Sequence, residues 1–312
     1  MRVLVVGAGG TGGYYGGRLF QAGRDVSFLV RPARAARLRE HGLQIVSPHG
    51  DATLRPPLLT ADQIASTFDL VLVSVKAYAL ERAIEDFAPA VGPATMILPV
   101  LNGLRHIDRL AERFRPQAVL GGVSQIAATV DDEGRVVQLS EFHRLAYGER
   151  TGASVGDGQR LAALDALMSG VGFDNRLSQT IDRDMWSKWV FLASLGAITC
   201  LMRGTIGEIE AVAGGAALAH QMLAECSAIA AAHGYAPPPE ATAQSTAMLT
   251  AKGSGLASSM YRDLNRGLEV EVEQILGDLA ARARAKSVEC PLLATALAHV
   301  QVYQQRVIAA AR

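Results

Sequence analysis

Three observations predict an α/β chain with an N-terminal doubly wound sheet and an all-helical C-terminal domain. Short apolar runs alternate with helical patterns through the first half, the layout of a mostly parallel sheet. The first such run leads straight into a glycine-rich turn. After about Phe173 strand signals stop and alanine-rich helical stretches dominate. The expected division is residues 1–174 and 175–312, with a linker near Gly172–Gln179 and a small-molecule cleft at the domain interface.

Val3–Val6 is apolar and β-branched, and reads as a strand covered on both faces. It feeds Gly7-Ala8-Gly9-Gly10-Thr11-Gly12, a G-x-G-x-x-G turn, and then a helix over Gly10–Ala22. Gly7 permits the tight turn, Gly9 admits a pyrophosphate to the backbone, and Gly12 lets the helix pack on the strand. The helix start presents free N–H groups and a positive dipole end to the phosphates. The motif alone is weak, because glycine-rich turns without a ligand are common. The order strand, turn, helix makes it a Rossmann-type dinucleotide site. Asp25–Arg31 reads as the second strand. An NAD site carries a carboxylate at its end to hold the ribose hydroxyls, whereas this chain has Arg31 there and Arg34 shortly after. A guanidinium clamps a 2′-phosphate with two parallel hydrogen bonds, so NADP(H) is the expected cofactor. The other reading of Arg31 is an ordinary surface arginine.

Strands follow at Leu70–Val75, Thr95–Leu98 and Ala118–Leu120, with helices at Ala33–His41, Ala79–Ala90 and Ile107–Phe114. Lys76 and Asn102-Gly103 each come just after a strand, at the carboxyl edge where ligands gather in open α/β sheets. Taken singly they are a surface charge and a turn signal. Gln125–Val130, Val136–Leu139 and Arg144–Tyr147 are joined by short connections such as Asp131-Asp132-Glu133-Gly134. They read as an antiparallel extension of the same sheet.

Composition narrows the function classes. Thirty basic and thirty acidic residues cancel, leaving no basic excess for nucleic acid. Hydrophobic residues at 49% and charged residues at 19% suit a buried core and argue against disorder. Cys200, Cys226 and Cys290 lie far apart, and the histidines are scattered. No metal site is therefore expected, and buried thiols in a reducing cytosol are. No signal-peptide pattern is visible. Val190–Met202, the most apolar stretch, is shorter than the ~20 residues that span a bilayer. It reads as a helix buried in a protein core, not as a membrane anchor.

Helical stretches in the second half are Asp182–Met202, Glu208–His233, Ala241–Ala251, Leu264–Lys286 and Pro291–Ala311. Lys188 shares a helix face with Leu192, Leu195 and Thr199. Either its stem lifts the ammonium to the surface, or the group is desolvated, its pKa falls and it becomes a proton donor. Of Glu269, Glu271 and Glu273, a continuous helix puts only Glu271 on the face of Leu264, Leu268 and Ile275. A carboxylate there is either a structural ion-pair partner or a cleft residue.

Together these pieces resemble the ketopantoate reductase (2-dehydropantoate 2-reductase) family over nearly the whole chain. They are Gly7–Gly12, Arg31, Val75-Lys76-Ala77-Tyr78, Leu101-Asn102-Gly103-Leu104, Gly121-Gly122 before Ala127, Trp186-Ser187-Lys188, Ser258–Asp263 and Glu271 ahead of Gly277. Their order and spacing carry the likeness. The resemblance implies NADPH-dependent reduction of a 2-oxo acid, of the kind that serves pantothenate biosynthesis. It implies that Lys188 binds the substrate and donates the proton, with Glu271 in support. Gly7, Ala8, Gly9, Gly10, Thr11, Gly12, Arg31, Lys76, Asn102, Ala127 and Glu271 match cofactor-contacting positions. Asn102, Lys188, Leu192, Gly196 and Ser259 match the substrate site, with the Ser259 hydroxyl on the substrate carboxylate. One departure matters. Family members active on ketopantoate usually carry asparagines where this chain has Leu192 and Gly196, and Ile206 and Leu256 replace two more. A pocket without such groups recognises a hydroxyl poorly. A more apolar 2-oxo acid, or another carbonyl or imine, is the alternative substrate, and a non-catalytic NADPH-binding regulator is the alternative of another class. The alanine-rich helical half is compatible with a homodimer.

Overall fold

The computed structural model describes residues 1–152 and 158–310. The chain divides into two compact units, Met1–Leu101 with His106–Ile181, and Asn102–Arg105 with Asp182 onward.

In the first unit, β1 (Arg2–Val6), α1 (Gly10–Gln21), β2 (Asp25–Leu29), α2 (Pro32–His41), β3 (Leu43–Val46), β4 (Ala52–Leu54), β5 (Leu58–Leu59), β6 (Phe68–Val73), α3 (Leu80–Phe87), β7 (Val91–Pro99) and α4 (Arg105–Phe114) follow in order. Five of the strands form a parallel sheet in the order β5-β2-β1-β6-β7. That is the doubly wound sheet read from the alternation of patterns. Ala118–Leu120 does not join it as a strand. Pro116–Ala118 is a single 3₁₀ turn, and Val119 makes one isolated bridge to Ile97.

The later strands do not extend this sheet. β8 (Gly121–Val130) and β9 (Val136–Gly148) pair antiparallel, but β9 then takes β3 and β10 (Asp174–Leu177) as parallel partners. With β4 on β3 they make a second sheet. β10 occupies the segment expected to be a linker, and it follows α5 (Gln159–Met168). Local patterning shows the β8–β9 hairpin; it does not show that β9 pairs with β3, far away in sequence.

α1 packs between the two sheets, and its glycines make that possible. A Cβ on Gly16 would stand 2.6 Å from Phe28 Cζ and 2.8 Å from Val5 Cγ2, and one on Gly17 would stand 2.6 Å from Ile45 Cδ1. Tyr14 and Tyr15 fill the remaining space and are fully buried. Tyr14 Oη lies 2.6 Å from His143 Nδ1, and Tyr15 donates to the Arg144 carbonyl at 2.8 Å. Both bonds fix α1 against β9.

The second unit holds α6 (Ile181–Met202), α7 (Ile206–Glu210), α8 (Gly215–Ala232), α9 (Pro239–Leu249), α10 (Ser259–Asn265), a π-helical turn (Glu273–Gly277), α11 (Asp278–Ala285) and α12 (Pro291–Ala310). α6 has the length and composition of a membrane span, but Trp189, Val190, Ala193, Ala197 and Ile198 along it are buried. Glu208–His233 is two helices. Thr205 and Glu208 close a capping box that gives α7 its own start, and Gly214 turns the chain at φ +85° before α8.

Leu264–Lys286 is also broken. Gly267 sits at φ +72°, and the N–H groups of Gly267 and Leu268 return to the carbonyls of Leu264 and Asp263 at 3.1 and 3.0 Å. This is a Schellman termination. Glu271 therefore does not lie on a helix face shared with Leu264 and Leu268. It ends a stretch without regular secondary structure, and its carbonyl accepts the Ile275 N–H at 3.0 Å as the next helical segment starts.

Candidate active site

The glycine turn is built as a backbone cradle. Gly7 has φ +96°, and its N–H donates to the Leu29 carbonyl at 3.0 Å. A Cβ on Gly12 would lie 1.9 Å from Ser74 Oγ and 2.3 Å from the Gly7 carbonyl oxygen, so α1 can start this close to β1 and β6 only with glycine there. Gly10 is equally constrained, by the Ala128 carbonyl oxygen at 2.6 Å and Thr129 N at 2.9 Å. Gly9 differs: apart from its chain neighbours, no atom of the described residues lies within 4 Å of where its Cβ would stand. The first helical bond runs from Gly13 N to the Gly9 carbonyl at 2.7 Å, so the N–H groups of Gly10, Thr11 and Gly12 precede the bonded ladder. No acidic residue lies in that first turn. An open position beside unpaired N–H groups and a positive helix end fits a phosphate-bearing ligand.

Side chains brace this turn from behind. Ser74 Oγ lies 3.0 Å from the Val6 carbonyl oxygen and 3.1 Å from that of Gly7. Arg34 donates to the carbonyls of Ala8 and Gly134, both at 3.0 Å. Burial and the neighbouring Arg37 hold its pKa below the usual arginine range. Arg34 is thus committed to the turn's scaffold. Arg31 stands exposed ahead of Pro32, at the start of α2. Lys76 is exposed just past β6, and Ala127 sits at a bulge in β8 where its N–H donates to Ser140 Oγ at 3.2 Å. These residues, with Gly7–Gly12, all belong to the first unit.

The remaining candidates belong to the second unit. Lys188 lies on α6, and burial pulls its pKa down to about 8 against the opposing pull of the Glu271 charge. Further along the same face, a Cβ on Gly196 would stand 2.9 Å from Met260 Cε. Thr199 donates to the Leu195 carbonyl at 2.6 Å, which leaves Ser258 as donor in the 3.0 Å contact between the two hydroxyls. Ser258 Oγ also accepts the Tyr261 N–H at 2.9 Å and so caps α10. These contacts lay the start of α10, with Ser259 as its first residue, along the face of α6 that carries Lys188. Leu192 on that face is half-buried. Asn102 joins the same unit, its carbonyl accepting the Gln274 side-chain amide at 3.0 Å.

Ser74 and Gln274 fall outside every sequence motif, Trp189 directly follows the Trp186-Ser187-Lys188 motif, Met260 lies within Ser258–Asp263 without a role of its own there, and Arg34 stands in the sequence only as a companion of Arg31. Each is found by what it touches after folding. Among the described residues no group of three or more His, Cys, Asp or Glu side chains is placed to hold a metal.

A model of the ketopantoate reductase PanE/ApbA family matches residues 3–152, and a model of that family's C-terminal domain matches residues 180–304. The chain belongs to the ketopantoate reductase family. It is an oxidoreductase of that family. Uncharacterized oxidoreductase YkpB of Bacillus subtilis is 36% identical over 304 residues, 97% of this chain and 99% of its own. Among solved structures, a 2-dehydropantoate 2-reductase from Geobacter metallireducens superposes with a TM-score of 0.87 at 28% identity, covering 96% of this chain and 99% of its own. A D-mandelate dehydrogenase, solved with NADH and anilino(oxo)acetate, shares the fold with a TM-score of 0.86 at 20% identity, over 98% of this chain and 99% of its own. Ketopantoate reductase relatives thus match along nearly the full chain.

Proposed function

We propose that this chain reduces a 2-oxo acid to the 2-hydroxy acid with NADPH. The observation that carries the reading is Lys188, an ammonium on a largely apolar helix face whose pKa is drawn down to about 8 within reach of the Glu271 charge. The glycine cradle suits the pyrophosphate, and exposed Arg31 suits a 2′-phosphate. When bound, NADPH supplies a hydride to the carbonyl carbon. The Lys188 ammonium polarises the carbonyl oxygen and then gives it a proton. The lysine is left neutral and regains its proton from solvent. Glu271 favours the charged lysine, and the Ser259 hydroxyl donates to the substrate carboxylate.

Leu192, and Gly196 beside the Met260 methyl, offer no hydrogen bond to a substrate hydroxyl. The proposed substrate accordingly carries an apolar side group. Ketopantoate is the second reading, favoured by full-length relatives such as the 2-dehydropantoate 2-reductase of Geobacter metallireducens. NADPH oxidation against a panel of 2-oxo acids separates the two. Higher kcat/KM for bulky apolar acids is expected. Higher kcat/KM for ketopantoate would overturn the apolar assignment, and no turnover of any member would sink the reductase reading.

A further inference from the structure

We infer that Gln274, inside the π-helical turn, is a positioning residue that holds Asn102 in place for the cofactor. The inference rests on the proposed function, in which Asn102 contacts NADPH.

Gln274 is only 5% exposed, deep for an uncharged polar side chain. Its Nε2 donates to the Asn102 carbonyl at 3.0 Å. Its own carbonyl oxygen grips the next residue: a Cβ on Gly103 would stand 2.4 Å from it. Gly103 lies at φ +75°, so glycine is required there both by conformation and by this contact. One residue thus fixes both members of the Asn-Gly turn, one by hydrogen bond and one by close packing.

The π geometry lets a single turn face several neighbours. The wider turn shifts carbonyls out of the regular ladder, a deviation often found at functional sites. The Ile275 carbonyl accepts Trp189 Nε1–H at 2.9 Å, and the Ile275 N–H donates to the Glu271 carbonyl at 3.0 Å. Trp189 follows Lys188 directly in the chain. Residues 274 and 275 therefore tie together the Asn102 turn, the side chain of Trp189 next to Lys188 on α6, and the backbone of Glu271. Nothing in the G-x-G-x-x-G motif or the lysine motif assigns Gln274 a role.

The test is a double-mutant cycle on NADPH affinity, read by fluorescence titration of the full-length protein. Gln274→Met keeps side-chain length and volume but removes the donor. It is expected to raise the NADPH Kd about tenfold. If Gln274 acts through Asn102, the same change made in an Asn102→Ala background weakens NADPH binding far less. Fully additive losses, or a Gln274→Met protein that binds NADPH like the wild type, would overturn the inference. Should Gln274→Met fail to fold, Gln274→Asn withdraws the amide by one methylene and is read the same way. Wild-type protein that fails to bind NADPH refutes the proposed function and the inference together. Normal wild-type binding with a silent Gln274→Met refutes the inference alone.

Discussion

Lys188 holds its charge in a place that disfavours it, and its pH behaviour follows. With a pKa near 8, drawn down by burial, the Lys188 ammonium is present at neutral pH and lost above it, and in the proposed mechanism the proton donor goes with it. We expect kcat/KM for reduction to be level below about pH 8 and to fall about tenfold per pH unit beyond it. A profile flat to pH 10 would remove Lys188 as the donor. Lys188→Ala should lower kcat by about 10²–10⁴-fold and leave the NADPH Kd unchanged. The same shift bears on stability. The folded pKa lies below the ordinary 10.5, so the burial penalty is full below about pH 8 and lifts as the pH rises toward 10.5. Cys200 and Cys226 follow the opposite rule for an acid: burial pushes both thiols up to about 12, and they remain protonated and unreactive.

At the scale of the element, the glycine turn was legible because its glycines answer local demands, and for Gly10 and Gly12 the structure supplies the atoms that make them. Gly9 and Gly12 now separate two kinds of demand. A methyl at Gly9 meets no atom of the described residues beyond its chain neighbours, whereas one at Gly12 collides with Ser74 and the Gly7 carbonyl. Gly9→Ala is expected to leave the Tm within about a degree while weakening NADPH binding severalfold. Gly12→Ala is expected to destabilise the fold by about 1–3 kcal/mol in urea denaturation. A Gly9→Ala protein with unchanged NADPH affinity would place the phosphates elsewhere. The helix face that singled out Glu271 does not exist. The helical pattern of Leu264–Lys286 continues through Gly267, but the backbone turns there at φ +72°, and periodicity weighs side chains, not a glycine's sign of φ. The second sheet was missed because β9 chooses β3 and β10, a non-local pairing that no window of sequence displays. Gln274 and Ser74 were invisible for the same reason, since their roles exist only as contacts.

For the whole molecule, cofactor choice should appear as a difference in thermal stability. A ligand at a hundred times its Kd stabilises the native state by about 2.7 kcal/mol. NADPH should therefore raise the Tm by several degrees and NADH at equal concentration by clearly less, and Arg31→Ala should erase the difference. Equal shifts in the wild-type protein would deny Arg31 the 2′-phosphate. The close approach of Gly10 to Ala128 and Thr129 has a consequence for how the protein is made. The turn that opens the chain is walled by backbone from β8, which leaves the ribosome only after the parallel sheet has been translated. A nascent chain ending before Gly121 lacks that wall beside Gly10, although Ser74 and Gly7 are already there for Gly12 to pack on. The cradle around Gly10 is therefore complete only once β8 has been synthesised.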